Sequence, residues 1–242
     1  MKYFLHTTET IPEGVGFTHY DTTHLLWLLG FVIFALISCI IYVKSPEEKR
    51  NIIRKIFAFL LIADEFFKVI MLIIGGNYLP SYLPLHLCSI NIILIAIHAF
   101  KPSKMLDNFL YFIGIPAAAM ALLFPSWAAL PLGNFMHIHS FTVHILLITY
   151  PIMCLSGGDI VPKAKNFLQC LLFLLILAVP IYIFNIFFDT NFMFLMYADP
   201  GNPLYWFGEN WGCHLLGIPP LMAIIFAVMF IPVLAIRKIK NK

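Results

Sequence analysis

Apolar residues in this chain run in unbroken blocks of membrane length rather than in the one-sided stripes of a soluble helix. Blocks near 23–43, 56–75, 82–100, 106–125, 137–155, 166–188 and 214–236 each reach the roughly 20 residues that a helix needs to cross a bilayer core. The pattern predicts an all-α fold, a polytopic membrane helix bundle of about seven transmembrane helices that fills 1–242 as a single domain. Ahead of the first block, residues 1–22 are mostly polar with only a short apolar stretch, unlike a cleavable signal peptide. A longer connection, 189–213, is too long for a simple turn and is expected to fold back over or into the bundle.

The polar segments between blocks alternate in charge. Lys44, Lys49, Arg50, Arg54 and Lys55 lie between the first two blocks, Lys101 and Lys104 between the third and fourth, and Lys163 and Lys165 between the fifth and sixth. With Arg237, Lys238, Lys240 and Lys242 in the tail, 13 of the 15 basic residues fall on one side. By the positive-inside rule that side is the cytoplasm, which puts the N-terminus outside and the C-terminus inside. The opposite segments, such as NYLPSYLP, PSWAALPLGNF and DTNFMFLMYADPGNPLYWFGENWG, lack Lys and Arg and are rich in aromatic residues, as suits the membrane interface.

Composition agrees: 61% of residues are hydrophobic, 11% are charged, and the mean hydropathy is +0.91, whereas soluble domains average about 25% charged. A soluble enzyme module and a nucleic-acid partner are both excluded on this reading. Cys39, Cys88, Cys154, Cys170 and Cys213 are scattered without paired or zinc-type spacing, so neither a disulfide framework nor a structural metal is expected.

Polar residues inside the apolar blocks carry the candidate chemistry, because bare charge in a bilayer is costly and marks function. Asp64, Glu65 and Lys68 share one face of the second span, where Lys68 can pair with either acid one turn back. The cluster reads equally as a structural ion-pair network and as a site for a proton, a cation or a headgroup amine. His86, His137, His139, His144 and His214 fall near the outer ends of spans three, five and seven and are expected to converge at one depth; His137 and His139, at the interface, read as polar surface residues. In LPLHLCSIN, His86, Cys88, Ser89 and Asn91 form a polar string. Cys88 lies about two turns into its span, at the estimated depth of His144, and a nearby imidazole is enough to make a thiol a nucleophile.

These pieces resemble a known family. DEFFK in span two, LPLHLCS opening span three, the FP of LLFPSW, TVHILLITYPIM in span five, TNFMFL and ADPGNPLYW in the long outer loop, and GCHLLG opening span seven are similar to the YwaF-like bacterial integral membrane proteins and their eukaryotic relative, the transmembrane protein 164 acyltransferase. The resemblance implies a cysteine-dependent acyltransferase of the cell membrane, with Cys88 as nucleophile, His144 and His214 as its histidines and Glu65 and Lys68 as supporting charges. It departs at Ser89, where the eukaryotic string has a histidine.

The expected function is therefore lipid acyl transfer or acyl hydrolysis through a thioester on Cys88, with membrane phospholipids or lysophospholipids as partners and no cofactor or metal. His144 or His214 is the expected base. Asn91, Ser89 or Lys68 is the expected donor to the oxyanion, and Asn191 and Asp199 are expected to bind the headgroup. Two other readings stand beside it: a small-solute or ion transporter built on Asp64, Glu65 and Lys68, and a metal-dependent hydrolase using the histidines, which lacks HExxH-type spacing. The sequence leaves the oligomeric state open.

Overall fold

A computed structural model of the chain describes residues 2–199 and 202–240, apart from the side chains of 232–240. The described residues form helices and turns, with no strand among them. Helix α1 (Thr22–Lys44) starts where the Asp21 carboxylate accepts the backbone N–H of His24, a side-chain cap on an otherwise orphaned donor. Helix α2 (Glu47–Ile74) begins well before the apolar block it contains. The charged stretch expected to be a loop is its first turns, where Glu47 and Glu48 lie at the positive end of the helix dipole.

Helix α3 (Leu87–Phe100) is shorter than its block because Pro80–Tyr82 forms a separate 3-10 turn and the chain stays irregular up to His86. Its 14 residues reach about 21 Å at ~1.5 Å per residue, so residues 80–86 must cover the rest of a span. The next block is α4 (Lys104–Phe109), a π-helical turn (Leu110–Gly114) and α5 (Ile115–Leu123) in one run. Helix α6 (Phe135–Gly157) and α7 (Phe167–Phe188) follow, and α7 continues through Pro180. The long connection holds a short helix, α8 (Tyr205–Trp211), and a 3-10 turn (His214–Gly217) leads into α9 (Ile218–Lys240).

Six stretches of the described residues are long and apolar enough to cross a membrane; α2 has the length, but its charges keep it out of that group. Helix α6 is the axis of the bundle. Its span window is 67% buried against 11% for α1 and for α7, and it touches α1, α2, α3 and α5. The outward faces of α1 and α7 carry exposed Leu26, Ile37, Leu168 and Phe187, a surface fit for lipid tails and not for water.

Each end of the bundle is tied by polar contacts. At the basic end, Arg50 donates to the carbonyls of Tyr42, Val43, Ser45 and Gly157, filling acceptors that the C-termini of α1 and α6 leave open. Asp159 lies 3.3 Å from Arg54, and His98 bridges Asp107 and the Tyr150 hydroxyl. At the other end the N-terminal segment packs across two connections, those between α2 and α3 and between α5 and α6. Asn134 donates to the carbonyls of Tyr3 and His6, Asn77 to that of Leu5, and Tyr82 to Glu9.

Candidate functional site

The first turn of α3 presents Cys88 toward α6, and α6 presents His144 back. Nε2 of His144 lies 3.1 Å from Cys88 Sγ. The opposite ring nitrogen, Nδ1, lies 2.5 Å from the carbonyl oxygen of Ser140, one helical turn earlier. A carbonyl only accepts, so Nδ1 carries the proton and Nε2 offers its lone pair to the thiol. The backbone of α6 thus selects the tautomer that turns an unprotonated nitrogen to the thiol. Trp127 fixes the plane of the ring, since its indole stacks on the His144 imidazole at 5.2 Å and 10° and is only 7% exposed.

Beside this pair lies the charged face of α2. Lys68 donates to Glu65 at 2.5 Å, while Asp64 turns to α6, accepting from the Thr142 hydroxyl and lying 3.1 Å from His139 Nδ1. That approach is close enough for an ion pair yet off the hydrogen-bonding direction of the ring. His139 Nε2 is 3.9 Å from Glu65, so the imidazole sits between the two acids. Asp64, Glu65, Lys68 and His139 thus form one cluster of polar side chains between α2 and α6.

Residues 19–230 match the model of the TMEM164 family. The chain belongs to the TMEM164 family. No curated protein matches it and no solved structure does. With its apolar helices, membership makes this TMEM164-family protein a multi-pass membrane protein.

The other histidines of this TMEM164-family chain each have partners of their own. His137 accepts from the Trp27 indole and donates to the Leu130 carbonyl, and His86 accepts from the backbone N–H of Met193. His214, expected as a second base, donates from Nε2 to the carbonyl of Phe194 at 2.9 Å. Among the described residues no three His, Cys, Asp or Glu side chains gather as a metal site. His86, His137 and His214 each pair with a backbone group of a neighbouring loop, which a buried backbone N–H or carbonyl requires.

The other expected site residues divide. Asn91, one turn below Cys88, is buried, and neither end of its amide finds a partner among the described residues. It faces Gly114 of the π-helical turn, where a Cβ would come within 3.6 Å of Asn91 Oδ1. Ser89 is half-buried on the same helix. Asn191 is spent on its own loop, accepting from the N–H of Met196 and donating to the carbonyl of Tyr197; Asp199 is exposed and pairs through its backbone carbonyl with the N–H of Asn202. Sequence reading missed Trp127 and His139, because an aromatic in a Pro-rich loop and a histidine at a span end both read as interface residues.

Proposed function

We propose that the protein is a lipid acyltransferase or acyl hydrolase of the membrane that carries the acyl group on Cys88. The observation that carries this reading is the 3.1 Å approach of His144 Nε2 to Cys88 Sγ, with the other nitrogen of the ring already tied back. Nucleophile and base must come within hydrogen-bond reach, and these two do.

The chemistry follows from that contact. His144 takes the thiol proton as Sγ attacks the carbonyl carbon of a phospholipid ester. Asn91, whose amide has no partner among the described residues, is the donor that this reading gives the oxyanion, whereas Lys68 is held by Glu65. The ester C–O bond breaks, the leaving oxygen takes the proton from His144, and a lysophospholipid departs from the thioester. A lysophospholipid hydroxyl, or water, then gives its proton to His144 and attacks the thioester carbonyl. The C–S bond breaks and the thiolate recovers the proton.

The same reading takes seven spans, counting α2, with the basic end cytoplasmic and the N-terminus outside, so that Cys88 opens toward the outer leaflet. Ser89 departs from the eukaryotic string, and on the resemblance to the YwaF-like bacterial members this reading places the protein in a bacterial plasma membrane.

In liposomes, Cys88→Ala and His144→Ala should each lower acyl exchange between phospholipid and lysophospholipid roughly 10³-fold or more. The wild-type protein should give a hydroxylamine-labile acyl adduct that Cys88→Ala lacks. Full activity in Cys88→Ala overturns the thioester route. A silent Cys88→Ala combined with loss of solute uptake in Lys68→Met would make the protein a transporter.

A further inference from the structure

The chain between α7 and α8 is built as a strap. Its base is pinned by Asn185, buried near the end of α7, whose side-chain oxygen accepts from the Thr190 hydroxyl and the Phe192 N–H and whose amide donates to the Phe192 carbonyl. Its far limb is pinned by the Asn191 contacts with Met196 and Tyr197. Between these two clamps Met193 and Phe194 stand at φ +59° and +54°, a left-handed conformation that bulky L-residues adopt only under constraint.

Two imidazoles from different elements hold those two strained residues. The Met193 N–H points to His86 Nδ1 at 3.4 Å, and the Phe194 carbonyl accepts from His214 Nε2 at 2.9 Å. The rings of Phe192 and Phe194 flank His86 at 5.0 and 6.1 Å. His86 is the cap residue of α3 and stands two positions before Cys88, so the strap rests on the turn that bears the thiol. His214 is itself backed by α8, since its Cβ lies 3.5 Å from where a Cβ on Gly208 would stand. The strap is thus strained where it is held and fixed where it is not.

We infer that residues 191–195 form a latched cover over the lipid entrance to Cys88, and that His86 and His214 are its latches, positioning residues and not the base. This rests on the reading of Cys88 as the reactive thiol. Entry of a lipid chain requires the Met193 and Phe194 peptides to leave the two imidazoles, and the stored backbone strain assists the release.

The test reads access to the thiol, independent of acyl transfer. In a protein with Cys39, Cys154, Cys170 and Cys213 replaced by Ala, the rate of Cys88 alkylation by an alkyl-chain maleimide is measured in liposomes. His86→Ala and His214→Ala should each raise the rate roughly five- to tenfold, the factor that one lost hydrogen bond is worth. His86→Asn, which keeps an acceptor in place of Nδ1, and His214→Gln, which keeps a donor in place of Nε2, should return it toward wild type. Met193→Asn, a residue at ease in the left-handed region, should slow it with both latches in place. Unchanged rates in both Ala variants, or Asn and Gln variants as fast as Ala, overturn the latch. In acyl exchange, His214→Ala should keep kcat within about threefold with a changed KM; a loss as deep as in His144→Ala makes His214 a base and overturns the assignment. Activity surviving Cys88→Ala would refute the thioester while leaving the alkylation ratios to judge the strap.

Discussion

The two nitrogens of His144 have different owners, and that division leaves one lone pair facing the thiol. Ser140 holds the proton on Nδ1, the thiol meets Nε2, and the Trp127 indole forms a wall along the ring. Removing the wall leaves every polar contact in place and lets the ring tilt. Trp127→Leu should therefore lower kcat roughly 10- to 100-fold, the scale of a misplacement of about 1 Å, with KM close to wild type; steady-state acyl exchange separates the two. Asn91→Ala should cost a comparable or larger factor in kcat, about 10²-fold, if its amide meets the oxyanion. At this scale the sequence was legible where chemistry sits inside a span. Cys88 and His144 stood out as polar residues at matching depth. It was illegible where a loop decides, because no local pattern tells that Trp127 turns inward or that His214 finds the Phe194 carbonyl.

Elements show the same division between periodic and irregular chain. Blocks of apolar residues place α1, α6 and α7 to within a few residues, since lipid and core both demand the same composition. Starts and breaks follow other rules. Helix α2 runs through charged residues because Arg50 has carbonyls to serve, and the fourth block widens into a π turn at Leu110–Gly114. Gly114 in that turn leaves the side of Asn91 clear. Filling it with Gly114→Val should depress activity with little loss of stability, as seen by kcat beside a thermal unfolding scan. Arg50→Lys should do the reverse. A single ammonium cannot reach the carbonyls of Tyr42, Val43, Ser45 and Gly157 together, so unfolding should ease by about 2 kcal/mol while acyl exchange per folded molecule stays level.

For the molecule as a whole, the two ends differ in a way that fixes what each can do. One end gathers arginines over helix C-termini, and the other gathers the N-terminal segment, the strap and exposed Trp206 and Trp211 at the end where α3 begins. Membership in the TMEM164 family and six apolar spans make the chain multi-pass; the direction in which it sits decides which leaflet feeds the thiol. Cys213 is exposed at the strap end and Lys163 is exposed at the basic end, so the pair reads orientation directly. In intact cells, a membrane-impermeant maleimide should modify Cys213 when Cys39, Cys88, Cys154 and Cys170 are replaced by Ala. In the same background with Cys213→Ala and Lys163→Cys, modification should wait for permeabilisation. The opposite result would turn the bundle over and move the proposed lipid site to the inner leaflet. It would leave the Cys88 and His144 geometry untouched, because that contact is made between α3 and α6 and owes nothing to the direction in which they cross.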